Sequence, residues 1–563
     1  MRTPLLLVVI TAVLVGGQEI LKNPGFETLS DWDCWSIHCE LTTDHHGGSH
    51  ALSVTERKKY YQGPSQTVPT VEGRVYHVQA WVKMINDNSN IQHIELMVNH
   101  LLKNGHNNYD TVSAQVPIST RSGWVFLSGE MVVPRGLKRS LLYFQGPEPG
   151  LGFLVDDASM TEMHIDNNNW VAEANARIDK IRKSNIHVKV STDNGMDPSS
   201  VTVEITQKKH LFPFGTAVVA SSMGKDNSGS EQKYRQFIFD NYNWVVLENS
   251  LKWPSMERTR GHVDYATSET AIRRLKSHGI KVRGHNLIWG ASQQFTPSWL
   301  LPLPQNEIQA EVNKHIKNTV THFKGLVEHW DVNNELLHGQ YYENKFHDPD
   351  YTKKIFRLVH QYDPDVKLFL NDYNVVSGGG YTEAYLSQAK DFKASNTYLG
   401  GMGVQCHFSS QPIPMLIKQK LDRLAEAGVP LWATELDVMS DDEHQRADQY
   451  ETAYRMLFSH PAVEGILTWG FWSQHHWRGE AAALVSGPEF RVNAAGKRVL
   501  HLMNQEWRTN DSRPLSQSSS YTVRGFHGDY EVKVKVNGHT VQTKQITLGK
   551  SDTNLNLHVQ GGH

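Results

Sequence analysis

The chain has 563 residues and a formal net charge of -3, from 56 Lys and Arg against 59 Asp and Glu. The charges are mixed, with no basic stripe, which excludes an electrostatic footprint for nucleic acid or for a membrane surface and leaves neutral polymers as the natural partner class. The length exceeds that of a single barrel by some 200 residues, so extra domains are expected on one or both sides.

In chain order, residues 1–17 read as a secretory signal peptide. One Arg precedes an apolar run from Leu5 to Val15 and small residues before Gln18, a layout too short to cross a membrane. It implies a secreted, extracellular protein, with an uncleaved anchor as the alternative. Cys34 and Cys39 could close a small loop in an oxidising compartment, and Cys406 reads as a buried inert thiol. Residues 18–163 show short alternating strands such as Arg74 to Met84 and Trp124 to Val133, the pattern of a β-sandwich.

Residues 164–211 predict a preface to the next domain. It consists of an amphipathic helix over Asn169 to Lys183, then alternating strands Ile186–Thr192 and Ser200–Gln207, read as a hairpin across an Asn-Gly turn. From 212 to 507 eight apolar runs alternate with helical stretches. The runs are Phe212–Val219, Trp244–Asn249, Lys281–Trp289, Glu328–Glu335, Lys367–Asn374, Gly401–Phe408, Pro430–Asp437 and Gly465–Trp472. Helical stretches ending in Gly279, Gly325 and Gly428 lie between them, which predicts a (β/α)8 barrel. Glu335 then closes the fourth strand and Glu435 the seventh, at the rim where such barrels place their chemistry. Residues 508–563 read as a polar linker and a small β-hairpin module around Asn537-Gly538. The sequon Asn510-Asp511-Ser512 is expected on a surface loop.

Two carboxyl groups at one rim suit glycoside hydrolysis, which needs one acid to protonate the leaving oxygen and one carboxylate to attack or to activate water. The 30 histidines are scattered, and His475-His476 lack a third partner, so no metal-ligand spacing is present. No cofactor is expected for the reaction.

Within the first 163 residues NPGFET (Asn23 to Thr28), RKKYYQG (Arg57 to Gly63) and LVDDASM (Leu154 to Met160) resemble the sandwich-type carbohydrate-binding modules of families 4, 9 and 22. The resemblance implies a sugar cleft on one sheet face, with Tyr60, Tyr61, Trp81 or Tyr143 as stacking candidates. It also implies Glu27 and Asp156 as residues that would share a structural calcium. In the barrel, WDVNNE (Trp330 to Glu335) and TELD (Thr434 to Asp437) are similar to the acid/base and nucleophile motifs of glycoside hydrolase family 10, whose characteristic activity is endo-β-1,4-xylanase.

That resemblance implies Glu335 as general acid/base and Glu435 as nucleophile of a retaining mechanism, with carboxyl groups about 5 to 5.5 Å apart and a bell-shaped pH profile. It assigns Asn334 to the sugar 2-hydroxyl and His407 with Asp437 to the support of the nucleophile. Glu248, Asn249 and Lys252 would hold sugars on the non-reducing side of the cleaved bond. His285, Trp289, Tyr373 and Gln405 would line the cleft, and Trp469 and Trp477 would wall the nearest sugar sites. Gly290-Ala291-Ser292 follow Trp289, as in the plant and animal branch, and these small residues would admit the hydroxymethyl group of glucose. A β-1,4-glucanase or mixed activity is therefore one alternative to a xylanase. The other is a catalytically dead barrel whose sandwich supplies the function, against which both glutamates stand. The expected partner is a β-1,4-linked polysaccharide, xylan or also cellulose, bound by a chain assumed monomeric.

Overall fold

The computed structural model describes residues 17–166, 168–193, 196–224, 229–515 and 519–560. The predicted leader therefore lies outside the described residues, apart from Gly17. Among the described residues no helix is long and apolar enough to cross a membrane. Two compact units divide after Asp166, and Gly379–Ser387 fall in the first of them.

The first unit is the expected sandwich. One antiparallel sheet runs in the order His38–Thr42, Ala51–Thr55, Phe153–Met163, Val75–Met84, Val125–Val132. The other runs Ser65–Val68, Leu137–Gln145, Gln92–Leu102, Asn107–Ile118. Alternation decides which side chains go inside: Val78, Ala80 and Val82 of one sheet and Ile94, Leu96 and Val98 of the other are fully buried in one core. Cys34 and Cys39 are joined in a disulfide that closes a short loop.

The second unit contains the barrel. Its strands are β1 (Phe214–Val218), β2 (Trp244–Leu247), β3 (Lys281–Gly284), β4 (His329–Asn334), β5 (Lys367–Asp372), β6 (Leu399–Val404), β7 (Leu431–Val438) and β8 (Val463–Thr468). Each pairs in parallel with the next, and β8 pairs with β1, so the sheet closes without an edge. All eight predicted runs are barrel strands; Glu335 directly follows β4, and Glu435 lies in the C-terminal half of β7. Trp244, Phe369, Trp432 and Leu467 pack inside the barrel, which is a filled core and not a pore. The helices Ala266–Ser277, Gln305–His322 and Pro414–Ala425 each end just before a left-handed glycine, Gly279, Gly325 and Gly428. Only glycine takes that conformation without steric cost, which is why the helices stop there.

The hairpin expected around Asn537-Gly538 is present, Gly528–Val536 pairing antiparallel with His539–Leu548, but the preface differs from the sequence expectation and the two segments are not separate modules. The helix Trp170–Arg182 forms as predicted, but the strands Lys183–Thr192 and Val201–His210 do not pair as a hairpin. Lys183–Thr192 lies between Ser520–Phe526 and Thr553–Val559. Val201–His210 lies between Asn510–Pro514 and Gly528–Val536, with His539–Leu548 on the far side. The segments 164–211 and 508–563 thus build one small two-sheet sandwich, with the barrel inserted between them in sequence. Val188, Val203, Val532, Val534 and Leu555 share its core. Two alternating strands alone would leave their apolar faces open, and the C-terminal strands supply the covering side chains. The sequon residue Asn510 is exposed at the start of an edge strand of this module, not on a loop. The predicted Asn194-Gly195 turn lies outside the described residues.

Candidate active site

A cleft of about 720 Å³ opens at the C-terminal ends of the barrel strands and contains both glutamates. Glu335 is the first residue beyond β4. Its φ of 60° is in the left-handed region, a conformation that costs a non-glycine residue roughly 1–3 kcal/mol and persists only where surroundings impose it. Here Glu335 N–H donates to the Asn371 carbonyl of β5 (2.9 Å), and the turn closes as His338 N–H donates to the Glu335 carbonyl (3.0 Å). The side chain is fixed at both oxygens. Trp289 Nε1 donates to Oε2 (2.9 Å) and Gln405 Nε2 to Oε1 (3.0 Å).

Glu435 sits inside β7, almost fully buried, and accepts from Asn371 Nδ2 at Oε1 (2.8 Å). Its Oε2 lies 3.2 Å from His407 Nε2. The other ring nitrogen of His407, Nδ1, is 3.0 Å from Asp437 Oδ2, so the imidazole bridges two carboxylates. Asp437 itself is fully buried behind His407 and receives Trp477 Nε1 at 2.7 Å.

These surroundings drive two identical side chains in opposite directions. Burial pushes the Glu335 carboxyl up to about 7, helped by the negative charges of Asp372 and Glu435 and opposed by the Gln405 and Trp289 hydrogen bonds. Burial acts on Glu435 in the same sense. There it is overcome by the His407 hydrogen bond, by the nearby charges of His285 and His407, and by the Asn371 hydrogen bond, so its carboxyl is held at about 2. Burial also opposes charge on His407, yet Asp437 and Glu435 raise it to about 9. Between the values of the two glutamates, at mildly acidic pH, the site therefore holds a protonated Glu335 facing an ionised Glu435.

Two residues bracket the pair. Asn371 gives its carbonyl to the Glu335 N–H and its side-chain amide to both Glu435 and Asn334 Oδ1 (2.9 Å). Gln405 gives its amide to Glu335 while its carbonyl accepts from Glu435 N–H (3.0 Å). Asn371 was not among the residues singled out from the sequence, although it lies two residues before Tyr373 in the run Lys367–Asn374. Asp372 was missed as well. It accepts from Leu337 N–H (2.8 Å) and pairs with His338 Nδ1 (2.6 Å), whose ring stacks on Tyr373.

The remaining barrel residues of the sequence reading are all on this cleft. Glu248, Asn249, Lys252, His285, Tyr373, Trp469 and Trp477 line it. Lys252 Nζ donates to Asn249 Oδ1 (2.8 Å) and lies 5.0 Å from the Trp289 ring centre. Phe295 stacks on that indole at 3.7 Å, which helps to hold the ring whose N–H donates to Glu335. Phe295 also went unread, since nothing in its local pattern marks it. His285 is held by Asp331 (2.9 Å), which also pairs with the fully buried Arg283. Cys406 is buried and unbonded to another cysteine.

In the sandwich the four aromatic candidates do not gather on one face. Tyr143 belongs to the four-stranded sheet and Trp81 to the five-stranded one, where Trp81 stacks on His46 at 3.9 Å. Tyr60 donates to Glu95 (2.7 Å), beside His93 and Gln145, whereas Tyr61 is exposed. Glu27 accepts from Ser49 N–H (2.7 Å), and Asp156 from the N–H groups of His46 (2.7 Å) and Gly47 (3.0 Å). Among the described residues no group of three or more His, Cys, Asp or Glu side chains converges as a metal site requires.

A (β/α)8 barrel carrying one protonated and one ionised carboxyl at the ends of β4 and β7 defines the two-carboxylate glycosidase class of site. The sequence model of glycosyl hydrolase family 10 matches residues 203–500, and that of a carbohydrate binding domain matches residues 18–150. The chain belongs to glycosyl hydrolase family 10. It is 31% identical over 528 residues to Endo-1,4-beta-xylanase 3 of Arabidopsis thaliana, covering 91% of this chain and 67% of that protein. It is 35% identical over 393 residues to the Anti-sigma-I factor RsgI6 of Acetivibrio thermocellus, covering 70% of this chain and 49% of that one. Among solved structures it is similar to xylanase 10B from Thermotoga petrophila in complex with xylobiose. That match is 23% identical with a TM-score of 0.47, over 52% of this chain and 94% of that one. The chain thus spans between about half and two thirds of the length of these two curated relatives.

Proposed function

We propose that the protein is a secreted, retaining endo-β-1,4-xylanase. The observation that carries this reading is the opposite tuning of Glu335 and Glu435 within one cleft of a family 10 barrel. In the first step a Glu435 oxygen attacks the anomeric carbon while Glu335 gives its proton to the departing glycosidic oxygen. This leaves a covalent glycosyl-enzyme and a Glu335 carboxylate. In the second step Glu335 takes a proton from water, whose oxygen attacks the same carbon, releasing the sugar and Glu435. His407 keeps the nucleophile ionised before attack. Asn334 lines the cleft with its Oδ1 held by Asn371 and its Nδ2 without a partner among the described residues, which leaves that amide available to donate to the sugar 2-hydroxyl.

Glu335→Ala and Glu435→Ala on a defined xylo-oligosaccharide, each with added azide, test the roles. Rescue of the first with a β-glycosyl azide and of the second with an α-glycosyl azide is the expected result. Products of the same configuration from both variants would remove the double-displacement reading.

A second activity, on β-1,4-glucan, is favoured by the small Ala291 and Ser292 on the cleft wall. Comparable hydrolysis of xylan and carboxymethylcellulose supports it, and no cellulose turnover dismisses it. Secretion is supported by the Leu5–Val15 run and by the Cys34–Cys39 disulfide; an intact-mass measurement of exported protein should begin near Gln18. A structural calcium held by Glu27 and Asp156 would compete with the N–H bonds these carboxylates now accept. An unchanged melting temperature on chelation would argue against it.

A further inference from the structure

The tripeptide Asn510-Asp511-Ser512 is the single sequon of the chain, and it plays no part in the catalytic cleft. It lies in the strand Asn510–Pro514, which pairs with Val201–His210 and forms one edge of the four-stranded sheet of the small sandwich. Register decides which way the sequon faces. Asp511 stands opposite Ile205 and Arg513 opposite Val203, and both partners are fully buried in the core of that module. Side chains alternate along a strand, so Asn510 and Ser512 point to the outer face, beside Thr206 and Glu204. Both are exposed, and neither side chain has a hydrogen-bond partner among the described residues.

The inner side of the strand is already committed. Asp511 accepts from Arg513 Nε (2.9 Å), and the Arg513 guanidinium lies 5.1 Å from the Tyr521 ring centre. The outer face is polar, with Glu204 paired to Lys535 (2.6 Å), so a hydrated chain can lie over it without covering apolar surface. A free strand edge is a template for pairing with another chain unless it is broken or covered. Pro514, which lacks an N–H, breaks this edge only at its end.

We infer that Asn510 carries an N-linked oligosaccharide, and that this glycan shields the edge Asn510–Pro514 from pairing with a second strand. The transfer forms a bond between Asn510 Nδ2 and the anomeric carbon of an oligosaccharide carried on a polyprenyl diphosphate. The bond from that carbon to the diphosphate oxygen breaks, the diphosphate leaves with the electron pair, and the amide gives up one proton. Ser512 supplies the hydroxyl that the third position of the sequon requires. The inference rests on the secretory reading, because this transfer belongs to the export route.

The test compares wild type, Asn510→Gln, Ser512→Ala and Ser512→Thr, each made in a eukaryotic secretory host and in a bacterial cytosol. Exported wild type and Ser512→Thr should lose mass on treatment with a peptide N-glycosidase, and Asn510→Gln and Ser512→Ala should lose none. At equal concentration the two unmodified variants should scatter more light than exported wild type. Bacterial wild type and bacterial Asn510→Gln should scatter alike, which separates the glycan from the side chain. Exported wild type whose mass is unchanged by the glycosidase overturns the modification, and equal scattering by modified and unmodified exported forms overturns the shield. Wild type retained inside the secretory host with residues 1–17 still attached overturns the secretory reading itself, and the inference with it.

Discussion

At the scale of single residues, the site works by giving one amino-acid type two environments. Glu335 is held up by burial and by Asp372, Glu435 is held down by His407, and neither direction is visible in the words WDVNNE and TELD. The limbs of the pH profile follow, as properties of the coupled pair: kcat/KM should fall below about 2 and above about 7. Asp372→Asn removes a negative charge beside Glu335, so its carboxyl ionises more readily and the basic limb moves to lower pH while the acidic limb stays. A basic limb that stays in place or moves up in the measured profile would contradict the role given to Asp372. His407→Ala acts on the other limb. Without the imidazolium, Glu435 titrates higher and the acidic limb moves up. The depressed carboxyl of Glu435 also contributes stability that is full above its ordinary value of 4.5 and is lost as pH falls towards 2. Melting curves across that window should show a smaller acid-induced decline from this group in His407→Ala than in wild type. The two glutamates were legible because each lies towards the C-terminal end of an apolar run. Asn371, Asp372 and Phe295 were not, because their roles come from strand neighbours and a ring contact that no local pattern encodes.

At the scale of elements, the barrel was legible almost strand for strand, since buried parallel strands are short continuous apolar runs bounded by helices. What the runs do not carry is how closely neighbours approach. Gly403 in β6 shows this. A Cβ added there would lie 2.2 Å from Asn371 Oδ1 and 3.0 Å from a methyl of Thr434, and Thr434 Oγ1 donates to that same Asn371 oxygen (2.6 Å). Glycine at this point lets β5, β6 and β7 hold Asn371 between the two catalytic strands. Gly403→Ala would push the Asn371 amide away from Glu435 and Asn334. We expect a loss of about 1–3 kcal/mol in stability from overpacking and a fall in kcat of at least tenfold, read from chemical denaturation and from turnover of a soluble xylo-oligosaccharide. Unchanged turnover would mean that Asn371 is not needed where the structure holds it.

At the scale of the whole chain, alternation predicted strands before and after the barrel but could not name their partners, because a period of two specifies a face and not a neighbour. The consequence is a misreading with physical content: the hairpin expected in the preface is two strands of separate sheets, while the hairpin around Asn537-Gly538 forms as expected and also pairs with Val201–His210 across about 300 residues of intervening sequence. Such pairing closes a long loop and must wait for the last strands to be made. Removing residues 508–563 would therefore do more than delete an appendage. Ile186, Val188, Val190, Val203 and Ile205, now fully or almost fully buried, would lose the opposing Val523, Val532, Val534 and Leu555. The barrel would be left beside two unpaired strands with open edges, a template for aggregation. Truncation after Trp507 should give protein that is largely insoluble on expression, whereas a truncation that also removes residues 18–211 should recover soluble material, since the orphaned strands are gone. A soluble chain ending at Trp507 with an unchanged melting temperature would show that the barrel needs neither half of the small sandwich.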